Sequence, residues 1–171
     1  MTSHTGAYQP DHLDLALLGA LRANPRVGDL ELSRLVKVAR ATVQSRLRRL
    51  EESGVIAGWG PEIDVTAAGY PVQAFVTLEI AQGALDDVLA ELSSLPNVLE
   101  AYVTTGDADV LCKVGASSHL DLQDALLAIN RTGVIVRSTS VVVLSTLIAP
   151  RSMPLLGTLI SAREPRAPAY R

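Results

Sequence analysis

The chain has 171 residues, of which 48% are hydrophobic and 19% charged, and its formal net charge is −3. This composition excludes a disordered or collagen-like chain, and the lone Cys112 excludes a disulfide framework and an all-cysteine metal site. The sequence shows neither a run of ~20 apolar residues nor a basic, apolar leader, so we expect a cytoplasmic protein with no membrane span and no metal or cofactor.

The net charge is unevenly distributed along the chain. Residues 1–60 hold eight basic and six acidic side chains, residues 61–148 hold three and eleven, and residues 149–171 hold four and one. Within residues 26–49 there are seven basic side chains against two acidic ones. Such asymmetry suggests two domains with different partners, so the total of −3 is a poor guide to what the protein binds.

The first third of the chain is predicted to hold three short helices. Residues 1–10 are expected to form a flexible arm, and residues 11–54 carry apolar side chains at helical spacing. Asp29 is expected to cap the second helix, and Gly54 is expected to end the third, which runs from about Arg40 to Ser53. The apolar positions are Leu13, Leu17, Ala20 and Leu21, then Leu32, Leu35 and Val36, then Val43, Leu47 and Leu50.

A connector and a second domain follow. Residues 55–70 contain three Gly and one Pro and are predicted to form a connector with some strand character. Residues 71–149 alternate between period two and helical period in the order βαββαβ, which is the ferredoxin-like arrangement. Its two helices would cover one face of a four-stranded sheet, so outward residues such as Phe75 and Thr77 are expected to meet a second subunit. The strands are expected at 72–80, 98–105, 109–116 and 134–148, and the helices around 85–92 and 122–129.

Three further features outside the helical segment are interpreted from residue type and local pattern. Cys112 alternates with Val110 and Val114, which predicts a buried apolar position. Trp59 is predicted to be a hinge or dimer contact or a simple packing residue. The tail, residues 150–171, contains four Pro and four Arg without a long amphipathic period. It is expected to be loose, or else to wrap a neighbouring subunit or DNA.

Two of these helices are joined by a short turn, which indicates a helix-turn-helix. The second helix of that pair is the third in the chain, and it would enter the major groove of DNA. On a helical wheel, the face opposite Val43, Leu47 and Leu50 is small, polar or basic, which suits close approach to phosphates and base edges. The alternative is a solvated helix with ordinary surface arginines. The candidate DNA-binding residues are Arg40, Thr42, Gln44, Ser45, Arg48 and Arg49.

These stretches resemble the Lrp/AsnC, or feast/famine, family of transcription regulators. The resemblance lies in LDLALLGALRANPRVGDLELSRLV, RLRRLEESGVIAGW and TTGDADVLCKV, and it covers about Leu13 to Ile148. It implies an α+β protein with an N-terminal, winged-helix-like helix-turn-helix domain and a C-terminal ferredoxin-like domain that senses a small molecule. It also implies homodimers that assemble further, often to octamers, and bind double-stranded DNA.

The sequence departs from the family at the start of the third helix. Family members usually carry a Ser or Thr cap and prolines there, whereas this chain has Val38-Ala39-Arg40-Ala41-Thr42. Ala39 has no side-chain oxygen with which to cap, and Lys37 stands at a turn position where the family usually has Gly. The docking mode is therefore expected to carry over, but not the operator sequence.

The segment between the second and third strands is the candidate effector site. Gly106 permits a tight turn, the two aspartates supply acceptors, and free turn N–H groups could hold a carboxylate, so an amino acid would find partners for both of its charges. The alternative is an ordinary β-turn, in which Asp is common. By resemblance, effectors bind near this hairpin at contacts between dimers. The candidate residues are Thr104, Thr105, Gly106, Asp107, Ala108 and Asp109, with Ser138, Thr139 and Ser140 as weaker candidates for the same pocket.

The sequence therefore favours a sequence-specific DNA-binding transcription regulator that responds to an amino acid or related small molecule, with no catalytic or metal-binding residues. One alternative is an architectural DNA-binding protein without an effector. Another is an enzyme similar to the tetrapyrrole decarboxylases, which share this architecture. The second domain offers that chemistry only His119, Arg131 and Arg137.

Overall fold

In a computed structural model, residues 8–131 and 133–161 are described, and the chain divides into two compact units. The first unit combines the segment up to Pro61 with the segment from Ala149 onward, and the second is Glu62–Ile148. Among the described residues, no helix is long and apolar enough to cross a membrane.

The first unit is built on the three predicted helices. They are α1 (His12–Ala23), α2 (Asp29–Val36) and α3 (Arg40–Glu52). Their apolar stripes converge on one core because each stripe repeats at helical period and faces the other two helices. The fully or nearly buried members are Leu17, Leu32, Val43, Leu47 and Leu50.

The start of α1 is held by a reciprocal capping box. The Asp11 carboxylate accepts from the backbone N–H groups of Leu13 at 2.9 Å and Asp14 at 3.0 Å, while the Asp11 N–H donates to the Asp14 carboxylate at 2.9 Å. Burial raises the pKa of Asp11, but these backbone hydrogen bonds and the neighbouring Arg46 guanidinium outweigh it, so the pKa lies below its ordinary value of 3.8. The cap therefore contributes stability above that value and loses it as the pH falls through the lowered pKa.

The predicted cap of α2 is wrong. The N-cap residue is Gly28, whose ψ of 168° is extended, and it makes no side-chain cap hydrogen bond. Asp29 is already the first helical residue, so its carboxylate cannot fold back over the open N–H groups in the way a cap does. It accepts instead from the side chain of Gln44 on α3.

The turn between α2 and α3 places Lys37 in the left-handed region, with φ 56° and ψ 43°. A side chain costs ~1–2 kcal/mol in this conformation, which glycine adopts freely. We expect Lys37→Gly to raise the free energy of unfolding of the first unit by about 0.5–1 kcal/mol relative to Lys37→Ala. The alanine variant removes the same charge but keeps the strain. Equal urea midpoints for the two variants would contradict the prediction.

A fourth helix, α6 (Met153–Ser161), belongs to the first unit and packs against α1. The close approach is made at Gly19, where an added Cβ would lie 3.9 Å from Met153 Cε. The expectation of a loose tail is therefore wrong for Met153–Ser161, and the rest of that tail, residues 162–171, lies outside the described residues. Pro154 is tolerated because it lies in the first helical turn, where no N–H partner is lost.

The flexible arm predicted at residues 1–10 is also partly wrong. Pro10 is buried, and the phenol of Tyr8 donates to the buried Asp14 carboxylate at 2.6 Å. Residues 1–7 lie outside the described residues. A proline and an aromatic ring that lie next to the start of a helix have apolar surface to bury. The polar residues around them suggested a flexible segment because this apolar surface was not considered.

The second unit is the predicted ferredoxin-like α+β domain. Its four strands form an antiparallel sheet in which the second, third, first and fourth strands along the chain lie side by side in that order. Both helices cover the same face, where the core includes Val76, Leu78, Cys112 and Val114. Burial raises the pKa of the Cys112 thiol to about 11, which fits the predicted apolar role. The elements are β1 (Val72–Ile80), α4 (Leu85–Ser94), β2 (Val98–Val103), β3 (Val110–Ala116), α5 (His119–Asn130) and β4 (Ile135–Val142).

Two predicted strand segments are absent from the described residues. Residues 55–71 contain turns and irregular backbone but no strand, and β4 ends at Val142 rather than Ile148. The reason is the same in both places, because a strand needs a neighbour for its backbone groups. Among the described strands β4 pairs with β1 alone, and its last partner in register is Ala74, opposite Val142.

The sheet face opposite the helices carries exposed apolar side chains, which we call the outer sheet face. Phe75 is 42% exposed, its β4 neighbour Val141 is 64% exposed, and Tyr102 on β2 is 53% exposed. The Tyr102 hydroxyl donates to Glu100 at 2.7 Å, and Lys113 lies 3.4 Å from the same carboxylate. This face therefore combines apolar area with a small hydrogen-bonded charge network.

Candidate nucleic-acid interface and effector site

The residues predicted to contact DNA lie on α3, away from the core of the first unit. Thr42 is half-buried, and the other five are exposed. Helix α3 begins after Ala39, which makes no side-chain cap hydrogen bond, as the sequence predicts. Its first turn thus leaves backbone N–H groups open next to Arg40, an arrangement that attracts a phosphate.

One flank of this face is fixed by two side-chain hydrogen bonds. Gln44 Nε2 donates to Asp29 Oδ2 on α2 at 2.9 Å, and Trp59 Nε1 donates to Glu51 Oε1 at 2.9 Å. Because a carboxylate can only accept, the Gln44 amide must turn its nitrogen toward Asp29 and its oxygen away. Gln44 is therefore presented chiefly as an acceptor, which suits the exocyclic amino group of adenine or cytosine.

The other flank is fixed by a charged network that no sequence pattern indicated. Arg46 Nη1 lies 2.5 Å from Asp11 Oδ2 and 3.2 Å from Asp14 Oδ1, and the Asp14 side chain is fully buried. The guanidinium of Arg49 lies over the ring of Tyr8, with its Cζ 4.9 Å from the ring centroid. Arg46 is thus a structural residue, whereas Arg49 is exposed and its guanidinium stacks on the Tyr8 ring.

Between the flanks, Arg40 and Arg48 are exposed and make no hydrogen bond or ion pair within residues 8–131 and 133–161. Ser45 lies on the same helix face and is exposed as well. Unpaired guanidinium groups beside a small hydroxyl residue can approach a phosphate or a guanine edge without first breaking another contact. The arrangement is suited to binding a nucleic acid.

The hairpin between β2 and β3 has the predicted tight turn. Gly106 has φ 118°, and the turn is closed by Thr104 N–H donating to the Asp109 carbonyl at 2.9 Å and by Thr104 Oγ1 donating to the Ala108 carbonyl at 2.8 Å. Thr105 and Asp107 are exposed, and Asp107 makes no hydrogen bond or ion pair among the described residues.

The two aspartates of the hairpin differ in their surroundings. Asp109 Oδ2 accepts from the backbone N–H of Ile80 at 2.9 Å, where the register of β1 shifts, and the Asp109 N–H donates to the Leu78 carbonyl at 2.9 Å. Asp109 therefore anchors the hairpin to β1, and Asp107 is the carboxylate that remains available to a ligand.

This difference gives a matched pair of variants. Asp109→Ala is expected to lower the free energy of unfolding of the second unit by about 1–2 kcal/mol, because the N–H of Ile80 loses a charged acceptor. Asp107→Ala is expected to change it by less than about 0.5 kcal/mol. Urea unfolding of the full chain measures both. Equal losses in the two variants would show that the Ile80 contact is not the cause.

The three candidates on β4 do not share one face. Ser138 and Ser140 lie in register with the inward-facing Leu78 and Val76, whereas Thr139 lies in register with Thr77 on the outer sheet face. Alternation along a strand makes this unavoidable. The three side chains therefore lie on two different sheet faces of one chain, and their place in an effector site stays a prediction. Ser138 is at the hairpin end of the sheet, and Thr139 faces the surface with Phe75 and Val141.

Among the described residues, no group of three or more His, Cys, Asp or Glu side chains is placed to hold a metal ion. His119, the one histidine of the second unit, is the exposed first residue of α5.

Two family sequence profiles match the chain, one in each part. Residues 10–57 match a winged helix-turn-helix DNA-binding domain, and residues 73–153 match the Lrp/AsnC ligand-binding domain. The first match spans α1 to α3, and the second spans the sheet, the hairpin and the first residue of α6.

Curated relatives extend over most of the chain. It is 34% identical over 122 residues to the regulatory protein AsnC of Escherichia coli, covering 70% of this chain and 80% of AsnC. It is 28% identical over 145 residues to the HTH-type transcriptional regulator FL11 of Pyrococcus horikoshii, covering 85% of this chain and 96% of that protein.

Solved structures agree in fold. The structure of E. coli AsnC superposes with a TM-score of 0.78 at 31% identity, covering 86% of this chain and all of the other. A Neisseria meningitidis transcriptional regulator in complex with L-Met superposes with a TM-score of 0.77 at 24% identity, covering 85% and 97% of the two chains. At that lower identity the likeness concerns the fold alone.

Proposed function

The chain belongs to the Lrp/AsnC family of transcription regulators, and from this premise we propose how it recognises DNA and what controls it. The observation that carries the proposal is the exposed face of α3, where Arg40 and Arg48 make no hydrogen bond or ion pair with another described residue, and where Gln44 and Arg49 are fixed. We propose that this face enters the major groove of double-stranded DNA. Arginine supplies phosphate and guanine contacts there, and Gln44 reads an amino group.

The acidic second unit has a different role in this proposal. Residues 61–148 hold eleven acidic side chains and three basic ones. This negative charge repels DNA, so that DNA binding is confined to the first unit. A transcription regulator must have access to the chromosome, and we therefore propose that the protein is cytoplasmic.

We propose that the Thr104–Asp109 hairpin holds an amino acid or a related small molecule. The free Asp107 carboxylate suits an ammonium group, and the turn at Gly106 presents backbone N–H groups to a carboxylate. Support for the ligand class comes from the regulator of N. meningitidis, a protein of this fold that was solved with L-Met. A ligand bound here would act by favouring one assembly state over another, because it must bind the two states with different affinities.

The outer sheet face is our proposed dimer contact, with higher oligomers built from dimers. Val141 and Phe75 are neighbours on that face and are substantially exposed in a single chain. We expect Val141→Glu to shift the protein toward monomers in sedimentation velocity. A carboxylate next to Phe75 would have to lose its hydration when the interface forms, and this is energetically unfavourable. Leu120→Glu, at an exposed position on α5, is the matched control. An unchanged sedimentation coefficient for Val141→Glu would place the contact elsewhere.

The test of the DNA function is selection of bound fragments from a random duplex library by the full chain. We expect two related half-sites whose centres are about 10–10.5 base pairs apart or a multiple of that, as paired recognition helices require. Binding without an enriched sequence would favour the architectural alternative. Absence of binding would overturn the proposal.

The test of the effector is a thermal-shift screen with each of the twenty common amino acids. A true effector raises the unfolding temperature in a concentration-dependent way. The shift should be lost in Asp107→Ala, which leaves the sheet contacts intact. If no amino acid gives a shift, an effector-independent DNA-binding protein is the better reading.

A further inference from the structure

Tyr8 lies between the buried charge of the first unit and the DNA-facing side of α3. Its hydroxyl donates to Asp14 Oδ2 at 2.6 Å, and the face of its ring lies 4.9 Å below the guanidinium carbon of Arg49. The family profile for the DNA-binding domain begins at residue 10, so Tyr8 precedes the matched segment.

The hydrogen bond fixes where the ring can be. Asp14 is fully buried within α1, and its two oxygens are also held by the Asp11 N–H at 2.9 Å and Arg46 at 3.2 Å. Burial and the Asp14 carboxylate raise the pKa of Tyr8, so the phenol remains a donor at neutral pH. The ring is therefore tied to the rigid core rather than to the surface.

The ring in turn restricts Arg49. A guanidinium within about 6 Å of an aromatic centroid is attracted to the ring face. A free arginine side chain has many rotamers, and this freedom is lost when it binds a phosphate. An arginine that is already stacked loses less freedom on binding.

We propose that Tyr8 is a positioning residue for DNA binding, which acts by holding the Arg49 guanidinium in place before the DNA arrives. This inference rests on the proposed function, and it adds a determinant of affinity outside the helix-turn-helix itself. Tyr8 has no DNA contact of its own in this proposal. Its effect is transmitted entirely through Arg49.

The test is a comparison of Tyr8→Phe, Tyr8→Leu, Arg49→Ala and the double variant Y8L/R49A in the full chain. Tyr8→Phe and Tyr8→Leu both lose the Asp14 hydrogen bond, but only Tyr8→Leu loses the ring. The readouts are the dissociation constant for the selected duplex at several salt concentrations and the urea midpoint of the first unit.

We expect Tyr8→Leu to weaken DNA binding about three- to five-fold more than Tyr8→Phe, which is what loss of one exposed cation–ring contact implies. The two variants should have similar urea midpoints. In the Arg49→Ala background, Tyr8→Leu should have no further effect on affinity. Equal affinities of Tyr8→Phe and Tyr8→Leu, or an undiminished effect of Tyr8→Leu without Arg49, would overturn the inference while leaving the proposed function intact. Absence of DNA binding by the unaltered chain would instead overturn both.

Discussion

Replacing both Arg48 and Arg49 by alanine is expected to weaken binding to duplex DNA by roughly 30- to 1,000-fold near 0.1 M salt. Each guanidinium that contacts a phosphate contributes a charge-assisted hydrogen bond, worth about 1–2 kcal/mol in a half-exposed interface. Both side chains are exposed on α3, so their removal leaves the core of the first unit intact. The measurement is a fluorescence-anisotropy titration of the selected duplex.

Salt dependence distinguishes this explanation from partial unfolding. Each lost phosphate contact should lower the slope of log K against log salt by about one, so the double variant should lose about two. Arg131→Ala is the control, because it removes an arginine from the acidic unit and should leave the slope unchanged. A double variant that binds DNA with the affinity and slope of the unaltered chain would mean that α3 does not face the DNA.

The core of the three N-terminal helices is predictable because the apolar pattern and the burial coincide there. Val43, Leu47 and Leu50 recur at helical spacing, and all three are buried in the structure. The same coincidence holds for β1, where Val76 and Leu78 alternate with outward residues. In both elements a single periodicity determines which side chains leave water.

Sequence patterns do not reveal the role of a residue when that role depends on a partner far away in the chain. Asp14 lies three positions before Leu17, on the apolar face of α1, where a lone carboxylate is costly to bury. Only the arrival of Arg46 from α3 and Tyr8 from the preceding segment makes that position acceptable. An acidic residue on an apolar stripe was the available signal, and it requires a basic partner elsewhere.

The predicted lengths of secondary-structure elements are wrong for a related reason. The β-rich pattern continues past Val142 toward Ile148, but the register pairs of β4 with β1 end at Val142, opposite Ala74, and are followed by one hydrogen bond from the Val143 N–H to the Gln73 carbonyl at 2.8 Å. In the opposite direction, α6 has no polar face to reveal it, yet α1 provides a surface on which it packs. Propensity describes what a segment prefers, whereas the neighbour decides whether the preference is satisfied.

The candidate sites show the same division. A helical wheel finds the exposed face of α3, but it cannot show that Gln44 is turned by Asp29 or that Arg49 is stacked on Tyr8. At the hairpin, the sequence gives no reason to distinguish Asp107 from Asp109. The structure distinguishes them, because the Ile80 N–H donates a hydrogen bond to the Asp109 carboxylate. The sequence thus indicates both candidate sites, and the packing distinguishes the residues within them.

Asp14→Ala should destabilise the DNA-binding unit strongly, with an expected loss of about 3 kcal/mol in its free energy of unfolding. The variant leaves the Tyr8 hydroxyl and the Asp11 N–H without their acceptor and takes from Arg46 its buried partner. Breaking one side of a buried pair costs about 3–5 kcal/mol, and the remaining contact between Arg46 and Asp11 offsets part of this. Such a loss is a large fraction of the ~5–15 kcal/mol that stabilises a typical domain.

Urea unfolding of the full chain provides an internal control, because the two units have separate cores. The transition of the first unit should move to lower urea while that of the second unit stays in place. In the double variant Asp14→Leu with Arg46→Met, apolar side chains replace both charges, so much of the loss should be recovered. If the double variant is as unstable as Asp14→Ala, the buried carboxylate is needed for more than its pairing with Arg46, and the anchoring of Tyr8 becomes the principal role of Asp14.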